Sequence, residues 1–399
     1  MHLINPFGRI IEVDTQQDYN DLLNKGFTIP SHDEIEHYKI NRAVMLESMA
    51  TPVETRKDVY LSTVSPGGKD GYGVASEKMI KELKSLGIEV SRSYEGQSIG
   101  ILFHNPYSIL RMETKYRVIF TMFESTKIPD DWHDYLEAAD LVIVPSRWCA
   151  DVFAKSGIKA VVVPLGYDDD IFTFKEKKDK NEAREDFVFL HYNAFNMRKG
   201  FLELLEAFQK AFEPTDPVKL ILKTNLRSLP MQFPPSVFPN IRVINESYSD
   251  KDLAKLCQDA DCFVFPSRGE GFGQTPLEAM ACGTPAIVPN AHGISEYFNP
   301  DYMYEVKVAG ESPAIYTRYK NVDVGKMSLC DTDDLAKQMR WVYEHQDQAR
   351  DMGRKAAQYV KQWTFKETAK KLKTIIDDIK LSQLEDKPLK NVLQLEKVS

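Results

Sequence analysis

Residues 262–290 read CFVFPSRGEGFGQTPLEAMACGTPAIVPN, and this stretch decides the fold of the chain. An apolar run, a glycine-rich loop, a helical pattern and a second apolar run follow one another, as in a parallel β-α-β unit. Gly271 and Gly273 leave room for backbone amides to close on an anion. Thr275 and Pro276 are typical of the N-cap and the first residue of a helix, whose amides and dipole favour a diphosphate.

Two carboxylates flank this loop. Glu270 lies between a strand end and the glycine-rich turn, where it caps nothing evident, so a ligand role is favoured over a solvated loop charge. Glu278 follows Thr275 by three residues, which is the spacing of a capping box. A carboxylate at this position can equally accept both hydroxyls of a ribose, because its two oxygens match a vicinal diol. The spacing alone leaves both roles open for Glu278.

Short apolar runs alternate with helical patterns along most of the chain, which predicts an α/β fold with two parallel sheets. The strands predicted for the first sheet are VYLSTV (59–64), IGILFH (99–104), YRVIFTMF (116–123), LVIVPS (141–146) and KAVVVPLG (159–166). Those predicted for the second sheet are FVFLHYN (187–193), KLILKT (219–224), IRVINES (241–247), CFVFPS (262–267) and PAIVPN (285–290).

A charged stretch at 168–186 interrupts the periodicity and indicates an exposed linker between two domains. The pattern after Trp363 predicts one long amphipathic helix that joins the first domain. The predicted units are an N-terminal extension (1–50), a first domain (51–170) with the C-terminal helix (364–385), a second domain (171–363) and a polar tail (386–399).

Composition narrows the class of protein. A chain of 399 residues with 43% hydrophobic and 28% charged residues fits two globular domains. The net charge of −8 makes nucleic-acid binding an unlikely function. Five scattered cysteines favour a reducing compartment, so we expect a cytoplasmic protein. No stretch reaches the roughly 18 apolar residues of a membrane span, and no signal-peptide pattern opens the chain. Peripheral contact with a membrane stays open.

The segment EGFGQTPLEAMACGTPAIV, in which seven residues separate Glu270 from Glu278, resembles the signature of family 4 retaining glycosyltransferases of GT-B fold, the glycosyl transferases group 1. VVVPLGYDDDIF (161–172) and MRKGFLELLEAF (197–208) are also similar to that family, and the resemblance extends over roughly residues 59–380. It implies two Rossmann-like domains facing each other across a cleft. It also implies transfer of a sugar from a UDP- or GDP-sugar to an acceptor hydroxyl with retention of configuration.

The resemblance assigns roles to residues of the second domain. In the family, the first glutamate faces the donor sugar, the second binds the ribose, and the loop amides hold the diphosphate. Lys199 would meet the β-phosphate, although a surface lysine is the alternative. The predicted donor-binding residues here are Arg198, Lys199, Glu270, Gly271, Phe272, Gly273, Gln274, Thr275 and Glu278.

One position departs from the family pattern. Asn193 stands where the family commonly has an arginine that supplies a second positive charge. Either Arg198 supplies that charge from another direction, or phosphate binding depends more on the loop amides.

In the first domain, Gly71 and Gly73 resemble the glycine loop that faces the diphosphate across the cleft. Ser76 stands where the dinucleotide fingerprint has its third glycine or alanine, which weighs against the remote alternative of an NAD-dependent oxidoreductase. Glu124 resembles the glutamate that a subset of the family carries after this strand, and it is the candidate wall of the sugar site. His104 is an alternative. The predicted catalytic residues are Glu270, Lys199 and Glu124.

The triple aspartate Asp168, Asp169, Asp170 has the letters of a metal-binding DxD motif. Its place in the family's interdomain segment favours capping or solvation of a short following helix instead. The loop, the helix dipole and Lys199 already offer positive charge, so we expect neither a metal nor a cofactor beyond the nucleotide sugar. The sequence leaves the acceptor undecided among a glycan, a lipid, a protein or another hydroxyl. A non-catalytic nucleotide-sugar-binding protein of the same fold is the alternative function.

Overall fold

A computed structural model describes residues 59–63, 71–177, 186–194, 196–224, 239–319 and 322–384, with short pieces before residue 59. Those pieces include two short antiparallel strands, β1 (His2–Ile4) and β2 (Ile10–Glu12). Most of the predicted N-terminal extension and all of the predicted polar tail lie outside the described residues.

The first domain is a six-stranded parallel sheet in the order β4-β3-β5-β6-β7-β8. Its strands are β3 (Val59–Ser62), β4 (Val90–Ser91), β5 (Ile99–Phe103), β6 (Tyr116–Phe120), β7 (Leu141–Val144) and β8 (Val161–Val162). Its helices are α1 (Gly71–Ser85), α2 (His133–Glu137) and α3 (Arg147–Lys155). All four residues of β7 are buried, as a strand covered on both faces requires.

The second domain has a six-stranded parallel sheet in the order β11-β10-β9-β12-β13-β14. Its strands are β9 (Phe187–Tyr192), β10 (Val218–Thr224), β11 (Ile241–Asn245), β12 (Cys262–Val264), β13 (Ala286–Val288) and β14 (Tyr304–Glu305). Its helices are α4 (Phe201–Ala211), α5 (Asp250–Asp259), α6 (Gln274–Ala281), α7 (Thr332–Glu344) and α8 (Gln346–Tyr359). An antiparallel hairpin, β15 (Val308–Pro313) and β16 (Lys326–Cys330), precedes α7.

The last helix, α9 (Phe365–Leu384), returns to the first domain. Ile375 and Ile379 of α9 belong to the same buried cluster as Met79 and Leu83 of α1, so an apolar stripe on each helix covers the other. Two parallel-sheet domains are therefore present, which confirms the predicted fold class.

The segment that joins the domains is less exposed than its charge predicts. Asp168 is 8% exposed and Phe172 is 4% exposed, so the start of the predicted linker is packed against the protein. The amides of Ile171 and Phe172 both donate to the carbonyl of Asp168. This turn stands where we predicted a short helix, and that prediction is wrong.

Candidate active site

The core of the site lies where two neighbouring strands end. β9 and β12 are adjacent and parallel, so the segments that follow them meet at one edge of the sheet, where α/β folds bind ligands. Lys199 ends a short 3-10 turn after β9, and Glu270 lies in the loop after β12. The Lys199 ammonium is 2.6 Å from Oε1 of Glu270. The Ser267 hydroxyl donates to the same oxygen at 2.6 Å, and Nη1 of Arg198 is 3.2 Å away.

Lys199, Arg198 and Glu270 shift one another's pKa values. Burial opposes the charge of Glu270, but Lys199 and Arg198 outweigh that effect and lower the pKa of Glu270 to about 2. Burial and the neighbouring guanidinium of Arg198 lower the pKa of Lys199, whereas Glu270 opposes the change. Lys199 is 7% exposed, so the alternative of a surface lysine is wrong. Arg198 brings a second positive charge to the position beside Lys199.

Asn193 does not take the place of the missing arginine. Its amide group donates to the Thr275 hydroxyl at 3.4 Å and its carbonyl accepts from the Ala194 amide at 3.0 Å. Arg198 is the second cation beside Glu270, and whether it or the loop amides compensates for the missing arginine in phosphate binding stays a prediction.

Helix α6 begins two residues earlier than predicted. Its first residue is Gln274, and Gly273 is the N-cap with φ 85°, a left-handed conformation that favours glycine. Thr275 therefore lies inside the first turn, and its prediction as the N-cap is wrong. No described side chain caps the start of α6, so its first amides stay available to an anion.

Glu278 makes its contact with a neighbouring strand. The Tyr192 hydroxyl, at the end of β9, donates to Oε2 of Glu278 at 2.5 Å. With Gly273 as the N-cap, the capping box that the spacing allowed does not form. Burial raises the pKa of Glu278 to about 7, against the opposing effect of the Tyr192 hydrogen bond. Glu278 is thus a carboxyl that changes charge near neutral pH.

The two domains touch at the glycine-rich loop. A Cβ added at Gly269 would lie 2.0 Å from the carbonyl oxygen of Glu124, and one at Gly271 would lie 2.6 Å from Cβ of Met122. The Ser146 hydroxyl, at the start of α3, donates to the Gly271 carbonyl at 2.8 Å. Gly271 is therefore needed for close approach of the first domain, whereas we predicted that it makes room for an anion.

Two side chains of the glycine-rich segment make contacts within the protein. Phe272 is 1% exposed and packs edge-on against Tyr297, with ring centroids 5.4 Å apart. The Gln274 side chain donates to the Gly166 carbonyl at 2.6 Å. Both side chains are therefore engaged within the protein, and the role predicted for this loop, in which its backbone amides hold the diphosphate, stays a prediction. Gly71 is the first residue of α1, so the glycine loop predicted there is helical.

Gly73 also lies in the first turn of α1, where its carbonyl accepts from the Ser76 hydroxyl at 2.8 Å. Residues 64–70, which precede α1 in the sequence, lie outside the described residues. His104, the alternative to Glu124, packs against the ring of Tyr72 at a centroid distance of 4.8 Å.

Glu124 reaches the site from the first domain. Its Oε1 is 3.4 Å from Nη2 of Arg198, and its Oε2 accepts from the Tyr316 hydroxyl at 3.2 Å. The structure thus brings Glu124, Arg198, Lys199 and Glu270 into one connected group. Sequence reasoning missed Tyr316, which lies between the two strands of the β15–β16 hairpin.

His292 was also missed. It follows β13 and is buried beside the loop, where it has φ 45°, an unusual backbone conformation for a residue with a side chain. Its Nε2 donates to the Ser267 carbonyl at 3.0 Å, since a carbonyl can only accept. Burial lowers the pKa of His292 to about 4, so the imidazole is neutral at neutral pH. Its position just after an apolar strand was the available sequence signal.

The triple aspartate forms ion pairs with lysines. Asp168 pairs with Lys78 of α1 at 2.7 Å, and Lys366 of α9 lies 2.9 Å from both Asp169 and Asp170. These pairs join the interdomain segment to two helices of the first domain. Across the described parts of the chain, no three histidine, cysteine, aspartate or glutamate side chains form a group suited to a metal ion.

Residues 236–313 match the family model of glycosyl transferases group 1. The matched segment, which holds Glu270 and Glu278, is therefore similar to group 1 glycosyl transferases. Mannosylfructose-phosphate synthase of Agrobacterium fabrum is 27% identical to this chain over an alignment of 246 residues, which covers 55% of the chain and 52% of the relative. The chain therefore spans about half the length of this curated relative.

Two solved structures share the architecture of this chain. Sucrose-phosphate synthase from Thermosynechococcus elongatus superposes with a TM-score of 0.62 at 13% identity, covering 82% of this chain and 100% of that one. Anabaena Alr3699/HepE, in complex with UDP-glucose, gives a TM-score of 0.56 at 14% identity, covering 81% and 99%. The fold is GT-B, as the resemblance implied. Among the helices described, none has the length and apolar character to cross a lipid bilayer.

Proposed function

We propose that the protein transfers a sugar from a nucleotide sugar to an acceptor hydroxyl, with retention of configuration and without a metal. The observation that carries the proposal is the buried contact of Lys199 with Glu270, beside the uncapped start of α6. This arrangement places two cations and a set of free amides next to one fixed carboxylate. A nucleoside diphosphate linked to a hydroxyl-rich sugar matches these groups.

The positive groups bind the leaving group in this proposal. When the bond between the sugar and the β-phosphate breaks, negative charge grows on the phosphate oxygens. Lys199, Arg198 and the first amides of α6 stabilise that charge, and they need little rearrangement because they are already held in place. Lys199 and Arg198 would exchange part of their contact with Glu270 for contact with the diphosphate.

The two glutamates orient the donor at its two ends. Glu270 stays ionised because its pKa is about 2, so it accepts hydrogen bonds from sugar hydroxyls and does not carry a proton to the leaving group. Glu278 accepts hydrogen bonds from the two ribose hydroxyls. The Tyr192 hydroxyl holds Oε2 of Glu278 in place with one hydrogen bond. Because each carboxylate oxygen can accept two hydrogen bonds, both oxygens of Glu278 can still accept one from a diol.

We assign no protein nucleophile. The acceptor hydroxyl approaches C1 on the face that the phosphate leaves, the new C1–O bond forms as the C1–O bond to phosphate breaks, and the hydroxyl proton passes to the departing phosphate oxygen. Contact between the domains at Gly269 and Gly271 excludes water that would hydrolyse the donor. Retention and metal independence rest on this chemistry and on the family resemblance.

The proposed class of donor is supported by the ligand of one structural neighbour and by the names of two similar proteins. HepE binds UDP-glucose, and mannosylfructose-phosphate synthase and sucrose-phosphate synthase are named for sugar products. We propose a UDP- or GDP-sugar as the donor of this chain and leave the acceptor class open. All five cysteines are buried free thiols, which supports a reducing compartment such as the cytoplasm.

A panel of UDP- and GDP-sugars, each offered with sugar, lipid and peptide hydroxyl acceptors, tests the proposal by the release of nucleoside diphosphate. We expect release that depends on both donor and acceptor, with the anomeric configuration retained in the product. Binding of a nucleotide sugar without release from any member of the panel would favour the non-catalytic alternative. Neither binding nor release would contradict the proposed function.

A further inference from the structure

The β15–β16 hairpin belongs to the second domain in sequence but packs into the first. Val324, just before β16, is 1% exposed and lies in a buried cluster with Phe123 and Trp132 of the first domain. The Thr126 amide donates to the Lys326 carbonyl at 3.1 Å, and the Lys326 amide donates to the Thr126 hydroxyl at 2.8 Å. The hairpin therefore connects the two domains beside Glu124.

Two tyrosines of this hairpin reach first-domain side chains. The Tyr319 hydroxyl lies 2.7 Å from that of Tyr107 and accepts from the Trp132 indole at 3.0 Å. The Tyr316 ring packs against Phe123 at a centroid distance of 5.0 Å, and its hydroxyl donates to Glu124. Only the second of these hydroxyls contacts the charged group of the site.

The two carboxylate oxygens of Glu124 have different partners. Oε2 accepts from Tyr316, and Oε1 faces Arg198. Arg198 in turn donates through Nη1 to the Gly269 carbonyl at 2.6 Å and lies beside Glu270. Burial raises the pKa of Tyr316 far above its ordinary value, so the hydroxyl is a neutral donor at neutral pH.

We propose that Tyr316 is a positioning residue for sugar transfer. Its hydroxyl holds the Glu124 carboxylate so that the Glu124–Arg198 pair keeps the guanidinium against Glu270 and the phosphate site. Because Tyr316 comes from the second domain and Glu124 from the first, this alignment is complete only when the domains are in contact. The inference rests on the proposed function, since it assigns Tyr316 to the same reaction.

The chain offers a matched pair of variants. Tyr316→Phe keeps the ring against Phe123 and removes only the hydroxyl that contacts Glu124. Tyr319→Phe removes a hydroxyl from the same hairpin that contacts Tyr107 and Trp132 instead. We expect Tyr316→Phe to lower kcat about tenfold while the affinity for the nucleoside diphosphate changes less than about twofold, and Tyr319→Phe to change neither by more than about twofold.

A double-mutant cycle shows whether Tyr316 acts by positioning Glu124 or only by joining the hairpin to the first domain. In a Glu124→Gln background we expect Tyr316→Phe to lose most of its effect on kcat, because the carboxylate that it positions is gone. Equal loss of kcat in the two tyrosine variants, or a full Tyr316→Phe effect in the Glu124→Gln background, would overturn the inference and leave the proposed function standing. A wild-type protein inactive with every donor and acceptor would overturn both.

Discussion

Lys199 and Glu270 are 71 positions apart in sequence, yet their charged groups lie 2.6 Å apart and are both buried. Breaking a buried ion pair leaves one charge without compensation, which is costly for stability. A pair of this kind at the carboxyl edge of a parallel sheet is also where a ligand that brings its own charges can exchange partners with the protein. The relationship therefore links the fold of the second domain to the chemistry that we propose.

The affinity for nucleotide should depend on pH through Glu278. Its pKa is about 7 in the protein, and a ribose diol donates two hydrogen bonds that an ionised carboxylate accepts best. Below pH 7 the carboxyl must lose a proton to bind, so the affinity should fall by up to about tenfold per pH unit as the pH is lowered.

Calorimetric titration of a nucleoside diphosphate from about pH 8 to about pH 5.5 measures this dependence. Glu278→Gln is the matched control, because any pH dependence that it retains comes from the phosphate. Identical pH dependence in the two proteins would show that Glu278 does not bind the ribose.

Folding stability should fall in mild acid because of two buried histidines. Burial lowers the pKa of both His191 and His292 to about 4, from an ordinary value of 6.5. The unfolded chain therefore gains their protons first, and their contribution to stability is complete above pH 6.5 and is lost as the pH falls towards 4. Glu278 opposes this loss, because its raised pKa lets the folded protein bind one proton over part of the same range.

Urea unfolding at several pH values checks the sign, and His292→Asn gives the comparison. Asparagine tolerates a positive φ, so the backbone should be retained while one titrating group is lost. The slope of the unfolding free energy against pH reports how many more protons the unfolded chain binds than the folded protein. We expect this difference to be smaller in His292→Asn by up to one proton. An unchanged slope would contradict the titration assigned to His292.

Contact between the domains should depend on Gly271. An added methyl group would lie 2.6 Å from Cβ of Met122, so Gly271→Ala should force the domains apart at a cost of about 1–3 kcal/mol. We expect turnover to fall about tenfold, with a larger radius of gyration in X-ray solution scattering. Gly310→Ala is the control, since its Cβ would meet no atom within 4 Å. Full activity of Gly271→Ala would show that this contact is not required.

The triple aspartate should be dispensable for the chemistry. Asp169 is paired with Lys366, and its loss removes one partly exposed ion pair worth about 0–1 kcal/mol. We expect Asp169→Ala to retain turnover within about twofold, and a chelator to leave transfer intact. Activity that is lost in chelator and restored by manganese would instead assign the aspartates to a metal site.

The sheets and the acidic pair could be predicted from local patterns, whereas contacts between distant segments could not. Runs such as Leu141–Val144 predict buried strands because apolar periodicity is local, and the Glu270 loop carries its own signature. Tyr316 meets Glu124 across 192 positions, and nothing in the sequence near either residue encodes that contact. The position of Thr275 was misjudged because the left-handed φ of Gly273 starts the helix two residues early.

The central claim is that Glu270 and Lys199 act on opposite ends of the bond that breaks. Lys199→Ala removes a charge that faces the leaving phosphate, so it should lower both turnover and affinity for the nucleoside diphosphate. Glu270→Gln keeps the shape of the side chain but weakens its contacts with sugar hydroxyls. Lys210→Ala is the control, because Lys210 pairs with Glu206 and Asp333 on the surface.

The most direct test is the turnover of Glu270→Gln with the intact donor, measured together with its affinity for the nucleoside diphosphate alone. We predict turnover about 100-fold below wild type, equivalent to about 2.7 kcal/mol of barrier, with that affinity preserved. Wild-type turnover in both Glu270→Gln and Lys199→Ala, with the donor and acceptor that the wild-type protein uses, would contradict the account and place the active site elsewhere.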